Sequence, residues 1–224
     1  MFSTETAKAL VVALVVYFAI GYTNEFVAEN QVYYNISAPP LYDRGHNFFP
    51  VIKETYANVG LVVFLLYFIT KWGYYYPNVL INYLWMISLL FIGRVVILSV
   101  TQLPPALPGC STVKKGENPH FRVFRKSWRQ CLDYMYSGHT IHCVLIFLFT
   151  MYLSTNLFEK TFIFVALLIE LSLVIASHMH YTSDVLVATL VSVLIFYAWP
   201  GIESVKSHAL KGGIYGALLK SKMI

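Results

Sequence analysis

Charge is what this sequence has least of: Asp, Glu, Lys and Arg make up 12% of its 224 residues against 58% hydrophobic, and the mean hydropathy is +0.62. Soluble domains carry roughly a quarter of their residues as charges, so a water-soluble domain is excluded. Cysteine is scarce as well, three residues with no framework spacing, and that establishes no disulfide scaffold. There is no internal repeat and no low-complexity tract. A signal-peptide cleavage site is also missing: the apolar run at 9–22 reaches Thr23, Asn24 and Glu25 without a convincing small-residue motif, so it reads as a retained first helix.

What the sequence does have is apolar runs, at 9–22, 56–70, 79–100, 140–153, 162–177 and 185–199. At roughly 20 residues per crossing they suit an all-α polytopic membrane protein. The expected architecture is six transmembrane helices in one bundle, a single catalytic domain over 1–224 with a short cytosolic tail at about 201–224. Several runs cover only about 15 residues, short of a ~30 Å hydrocarbon core, so their ends should extend through flanking aromatics. Trp72, Tyr74, Tyr75 and Tyr76 stand where a short connection should meet the interface. Six spans put the connections at 23–55, 101–138 and 178–184 on one face, and those connections hold nearly all the residues with chemical potential.

Two clusters stand out. Cys131, Asp133, Ser137, Gly138, His139 and Thr140 lie where a loop runs into the fourth span; Gly138 permits a tight turn, and a helix start offers N–H groups that suit a phosphate. His178, His180, Tyr181, Thr182 and Asp184 lie between the fifth and sixth spans. His180 and Asp184 are four apart, so a helical stretch would put the carboxylate beside one imidazole nitrogen and leave the other to attack. Interfacial His, Ser and Asp often only satisfy backbone groups, and for either histidine alone that reading stands level with catalysis. Taken together, ionisable groups in such apolar surroundings are expensive to keep without a role. A metal site built from His139, His178, His180 and Asp184 is the other functional reading, with loose spacings for it. The net charge of +5 comes with no stacking platform and follows the membrane junctions, so lipid, not nucleic acid, is the expected partner.

Cys131-x-Asp133-x3-Ser137-Gly138-His139-Thr140 and His178-x-His180-Tyr181-Thr182-x-Asp184-Val185 resemble the two signature motifs of sphingomyelin synthases. Two shorter matches accompany them in the same order: Pro39-Pro40-Leu41-Tyr42-Asp43, and Arg94 followed by Ser99-Val100-Thr101-Gln102-Leu103-Pro104. The resemblance covers roughly 36–200, with no amino-terminal SAM domain. These synthases sit within the lipid phosphate phosphatase (PAP2-type) superfamily, whose His/His/Asp triad needs no metal and no cofactor.

Carried over, the triad is His139, His180 and Asp184. The resemblance implies that His180 attacks the phosphorus of a glycerophospholipid donor, Asp184 orients it, and His139 protonates the departing diacylglycerol. The head group then passes from phosphohistidine to ceramide. Arg94 is the preferred anion-binding residue; Ser137, Gly138, Tyr181 and Asp43 join the substrate site by motif position. Asp133 would hold His139 or the donor's cationic group, with a helix cap as an equal alternative. Basic residues in the 101–138 loop suit anionic lipid head groups at least as well as catalysis. Met179 replaces the family's usual Asp and Leu132 its usual Gly, which opens the head-group choice. Val174 stands where lipid phosphatases carry an arginine, and that favours transfer over hydrolysis.

The distribution of Lys and Arg gives no orientation. The Asn35-Ile36-Ser37 sequon and the dilysine-like Lys220–Ile224 tail favour cytosolic termini, a luminal site and the endoplasmic reticulum, with Golgi and plasma membrane as alternatives. Three functions follow: a ceramide head-group transferase, a phosphatase or phospholipase C-like hydrolase with the same triad, and a non-catalytic lipid-binding protein. Homo-oligomerisation is left open.

Overall fold

The computed structural model describes residues 3–29, 40–101, 103–106, 135–203 and 205, which are helical with no strand among them. α1 (Thr4–Glu29) starts where the Ser3 hydroxyl accepts the Thr6 N–H at 3.1 Å. α2 (Arg44–Phe48) is a short turn capped by Asp43. α3 (Thr55–Phe68) runs on through a π-helical turn, Ile69–Gly73, where the Thr70 hydroxyl donates to the Leu66 carbonyl. α4 (Pro77–Val100) opens on a proline, whose missing N–H costs nothing at a helix start. α5 (Gly138–Leu153) and α6 (Leu157–Ala176) are capped by the side chains of Ser137 and Asn156. In α7 (Thr182–Ala198) the Asp184 carboxylate turns back to accept the Tyr181 N–H at 3.0 Å.

α5 is the hub, burying 11 of its 16 residues against α3, α4, α6 and α7, while α1 packs along α4. Phe68, Tyr83, Phe149 and Phe196 fill the centre, with ring centroids 4.4 Å apart for Phe68 and Tyr83 and 5.2 Å for Phe149 and Phe196. The outer faces are apolar too: Val15, Phe18, Val63, Leu66, Val96, Ile169, Leu190 and Leu194 are all exposed. A chain apolar inside and out is built for lipid, where close packing and polar satisfaction hold helices together.

Among the described residues three helices are long and apolar enough to cross a bilayer, Thr4–Ala28, Thr55–Gly73 and Pro77–Val100. α5 and α7 are apolar but span only about 24 and 26 Å at 1.5 Å per residue. α6 has the length but carries Glu159, Lys160 and Glu170. The all-helical membrane architecture therefore stands, and three of the six expected crossings meet both requirements.

Two expectations change. Thr23, Asn24 and Glu25, read as loop, continue α1, because the buried Asn24 amide donates to the Phe91 carbonyl of α4 at 3.1 Å and so needs no water. Trp72, expected at the interface, is buried in the core, whereas Tyr74 and Tyr75 are exposed.

The described parts of three connections meet at one end. Leu41 N–H donates to the Tyr181 hydroxyl at 3.1 Å, which itself donates to the Pro104 carbonyl at 2.8 Å. Ile52 N–H reaches the Ala176 carbonyl at 3.1 Å, and Ser137 N–H the Asp184 carbonyl at 3.5 Å.

Candidate active site

His180 and Asp184 come together, though not along one helix face. α7 begins at Thr182, so His180 lies in the turn before it, and the capping conformation of Asp184 carries its Oδ2 to 3.5 Å from His180 Nδ1. Both are nearly sealed, at 3% and 1% exposed. His178, two residues earlier, adopts φ +55°, a left-handed conformation that sets the direction of this turn.

The turn is held from the first large loop. Asp43 accepts the Thr182 N–H at 2.7 Å and the Thr182 hydroxyl at 2.6 Å, and also the His46 N–H at 3.1 Å. His46 Nε2 donates to the His180 carbonyl at 2.9 Å, and its ring stacks on His178 at 3.9 Å. Partial burial pushes the Asp43 carboxyl up, but the Thr182 and His46 hydrogen bonds outweigh it and hold it below the usual carboxylate range. His178 is lowered, first by burial and then by the neighbouring His46.

His139 sits in the first turn of α5, where its Nε2 donates to Asn58 Oδ1 of α3 at 2.8 Å. Arg94, 3% exposed, donates from Nε to the Tyr136 carbonyl at 2.6 Å and lies beside Gly138, where an added Cβ would stand 3.7 Å from the guanidinium. A cationic side chain is thereby held at the start of α5.

These groups line one cavity of about 280 Å³, whose wall includes Arg94, Gly138, His139, Met179 and His180. It also includes Asn58, His142 and a stretch of α1 that sequence reasoning missed. His142, one turn below His139, takes the Tyr83 hydroxyl at 2.7 Å; a histidine inside an apolar run was the available signal. Nothing marked Asn58 or α1, because their role depends on which helices pack together.

Three other site candidates do not line the cavity. The Ser137 hydroxyl is fully buried as the α5 cap, accepting the Thr140 N–H. Tyr181 spends its hydroxyl on two loop segments, and Asp43 spends its carboxylate on Thr182. Asp133 lies outside the described residues, as do the sequon and the basic tail. Among the described residues no three His, Cys, Asp or Glu side chains form a metal-holding group.

A helix-capping carboxylate against an imidazole, a second histidine and a buried arginine on one cavity form an arrangement suited to phosphorus chemistry. Residues 130–200 match the PAP2 superfamily C-terminal family model. The matched segment spans α5 to α7 and so contains His139, His180 and Asp184, whereas Arg94, Asn58, His46 and the α1 wall lie before it. Proteins of that superfamily typically hydrolyse or transfer phosphate groups, so this part of the chain is similar to an enzyme family that does phosphate chemistry. No curated protein matches the chain.

Proposed function

We propose that the protein is a six-span membrane phosphotransferase of sphingomyelin synthase type, moving phosphocholine or phosphoethanolamine from a glycerophospholipid to ceramide. The observation that carries the reading is the convergence of His139, His180 and Arg94 on one cavity, with Asp184 behind His180. With Nδ1 turned to Asp184, Nε2 of His180 attacks phosphorus; the P–O bond to diacylglycerol breaks as the P–N bond forms. His139 gives its proton to the departing oxygen. The ceramide primary hydroxyl then loses its proton to His139 and attacks the phosphohistidine, restoring His180. Arg94 and the N–H groups at the start of α5 stabilise the phosphoryl oxygens.

α5 to α7 complete the six spans in this reading, helped by flanking residues or a thin bilayer. Cytosolic termini and a luminal site in the endoplasmic reticulum are proposed from the sequon and tail.

The test supplies purified protein with fluorescent ceramide and either phosphatidylcholine or phosphatidylethanolamine, with His180→Ala in parallel. A new phosphoceramide from one donor, absent in the variant, is expected and names the head group. Diacylglycerol or phosphate release that ignores ceramide would replace the transferase by a PAP2-type hydrolase. Transfer persisting in His180→Ala would remove the mechanism.

A further inference from the structure

The cavity wall is not uniform. Arg94, His139 and His180 supply the part suited to an anion. α1 supplies a carboxylate and two phenol rings: Tyr17, Gly21 and Glu25 fall at spacings of four on one helix face, with Tyr22 beside them. A Cβ built at Gly21 meets nothing within 4 Å, so the missing side chain keeps this wall open.

The two parts adjoin through Phe91. Arg94 Cζ lies 5.9 Å from the Phe91 ring centroid, and Phe91 stacks on Tyr17 at 6.2 Å. A carboxylate beside aromatic faces makes an environment for a substituted ammonium through Coulomb and cation–π attraction. The same carboxylate repels head groups that carry only negative charge. The volume, about 280 Å³, sits at the small end of small-molecule sites, which suits a head group with its acyl chains outside.

We infer that the α1 wall, through Glu25, Tyr17 and Tyr22, is an ammonium subsite that selects zwitterionic over purely anionic phospholipid head groups. The inference deepens the phosphotransfer reading and rests on it for the position of the phosphate. Choline and ethanolamine share the required chemistry.

The test is binding, measured calorimetrically on the full chain in detergent with phosphocholine, phosphoethanolamine and glycerol 3-phosphate. The amine-bearing ligands should bind about tenfold more tightly than glycerol 3-phosphate. Whichever amine binds better identifies the head group. Glu25→Gln should bring the three ligands to about the same affinity, weakening both amines and relieving the repulsion of glycerol 3-phosphate, and Gly21→Leu should fill the subsite and remove the amine preference. Equal wild-type affinities, or no binding by any of the three, would overturn the subsite even if neither variant folds, as would a preference surviving in both variants. Lipid turnover is read separately: amine preference without turnover keeps the subsite and rejects phosphotransfer, and turnover without preference does the reverse.

Discussion

His46 Nε2 lies 2.9 Å from the carbonyl oxygen of His180, so a residue of the first large loop holds the backbone that carries the proposed nucleophile. The His46 ring also stacks on His178, fixing the left-handed turn two residues before His180. The turn that carries His180 is thus braced by a segment some 130 residues distant in sequence.

His46 is therefore a positioning residue. His46→Ala should lower kcat by about tenfold or more with little change in KM, because a misplaced nucleophile loses alignment and not substrate affinity. His46→Gln, which can still donate to the His180 carbonyl, should recover part of the loss. A pure KM effect in lipid turnover would contradict this role.

Asp43 predicts a pH dependence. Its folded-state carboxyl is held below the usual range, so its stabilisation is complete above about pH 4 and disappears as pH falls through the lowered value. Thermal unfolding of wild type and Asp43→Asn should differ at neutral pH and converge under acid. A gap that stays constant down to strong acid would mean that the carboxylate's charge plays no part.

Gly45 allows α2 to approach α7. A Cβ there would stand 2.1 Å from the Thr182 hydroxyl, which is engaged by Asp43, and 3.0 Å from Ile175 Cγ2. Gly45→Ala should cost about 1–3 kcal/mol as an overpacked contact. Unchanged denaturation relative to wild type would show that α2 moves aside freely.

Asn58 orients His139. Asn58→Leu removes the acceptor at 2.8 Å and should lower kcat by about ten- to a hundredfold, leaving the helical content unchanged by circular dichroism. Retention of full turnover would show that His139 needs no brace from α3.

Much of this was legible in the chain. Gly138, His139, His180 and Asp184 announced themselves because few ionisable residues occur among long apolar runs, and those runs were sufficient to place the helices. Boundaries were less legible: α1 runs past Asn24 because its amide finds Phe91 on another helix. The expected helical pairing of His180 with Asp184 reached the right neighbours by the wrong route, since Asp184 bends back as a cap.

By itself, then, the sequence determined a helical membrane chain with its reactive residues confined to a few junctions, because hydropathy and sparse charge are local properties. Tertiary structure alone decided that Arg94 lies against Gly138, that Asn58 holds His139, that His46 holds His180, and that Glu25 faces their cavity. Each depends on which helix packs beside which, and that is set by the fit of side chains between distant segments, not by any one segment's composition.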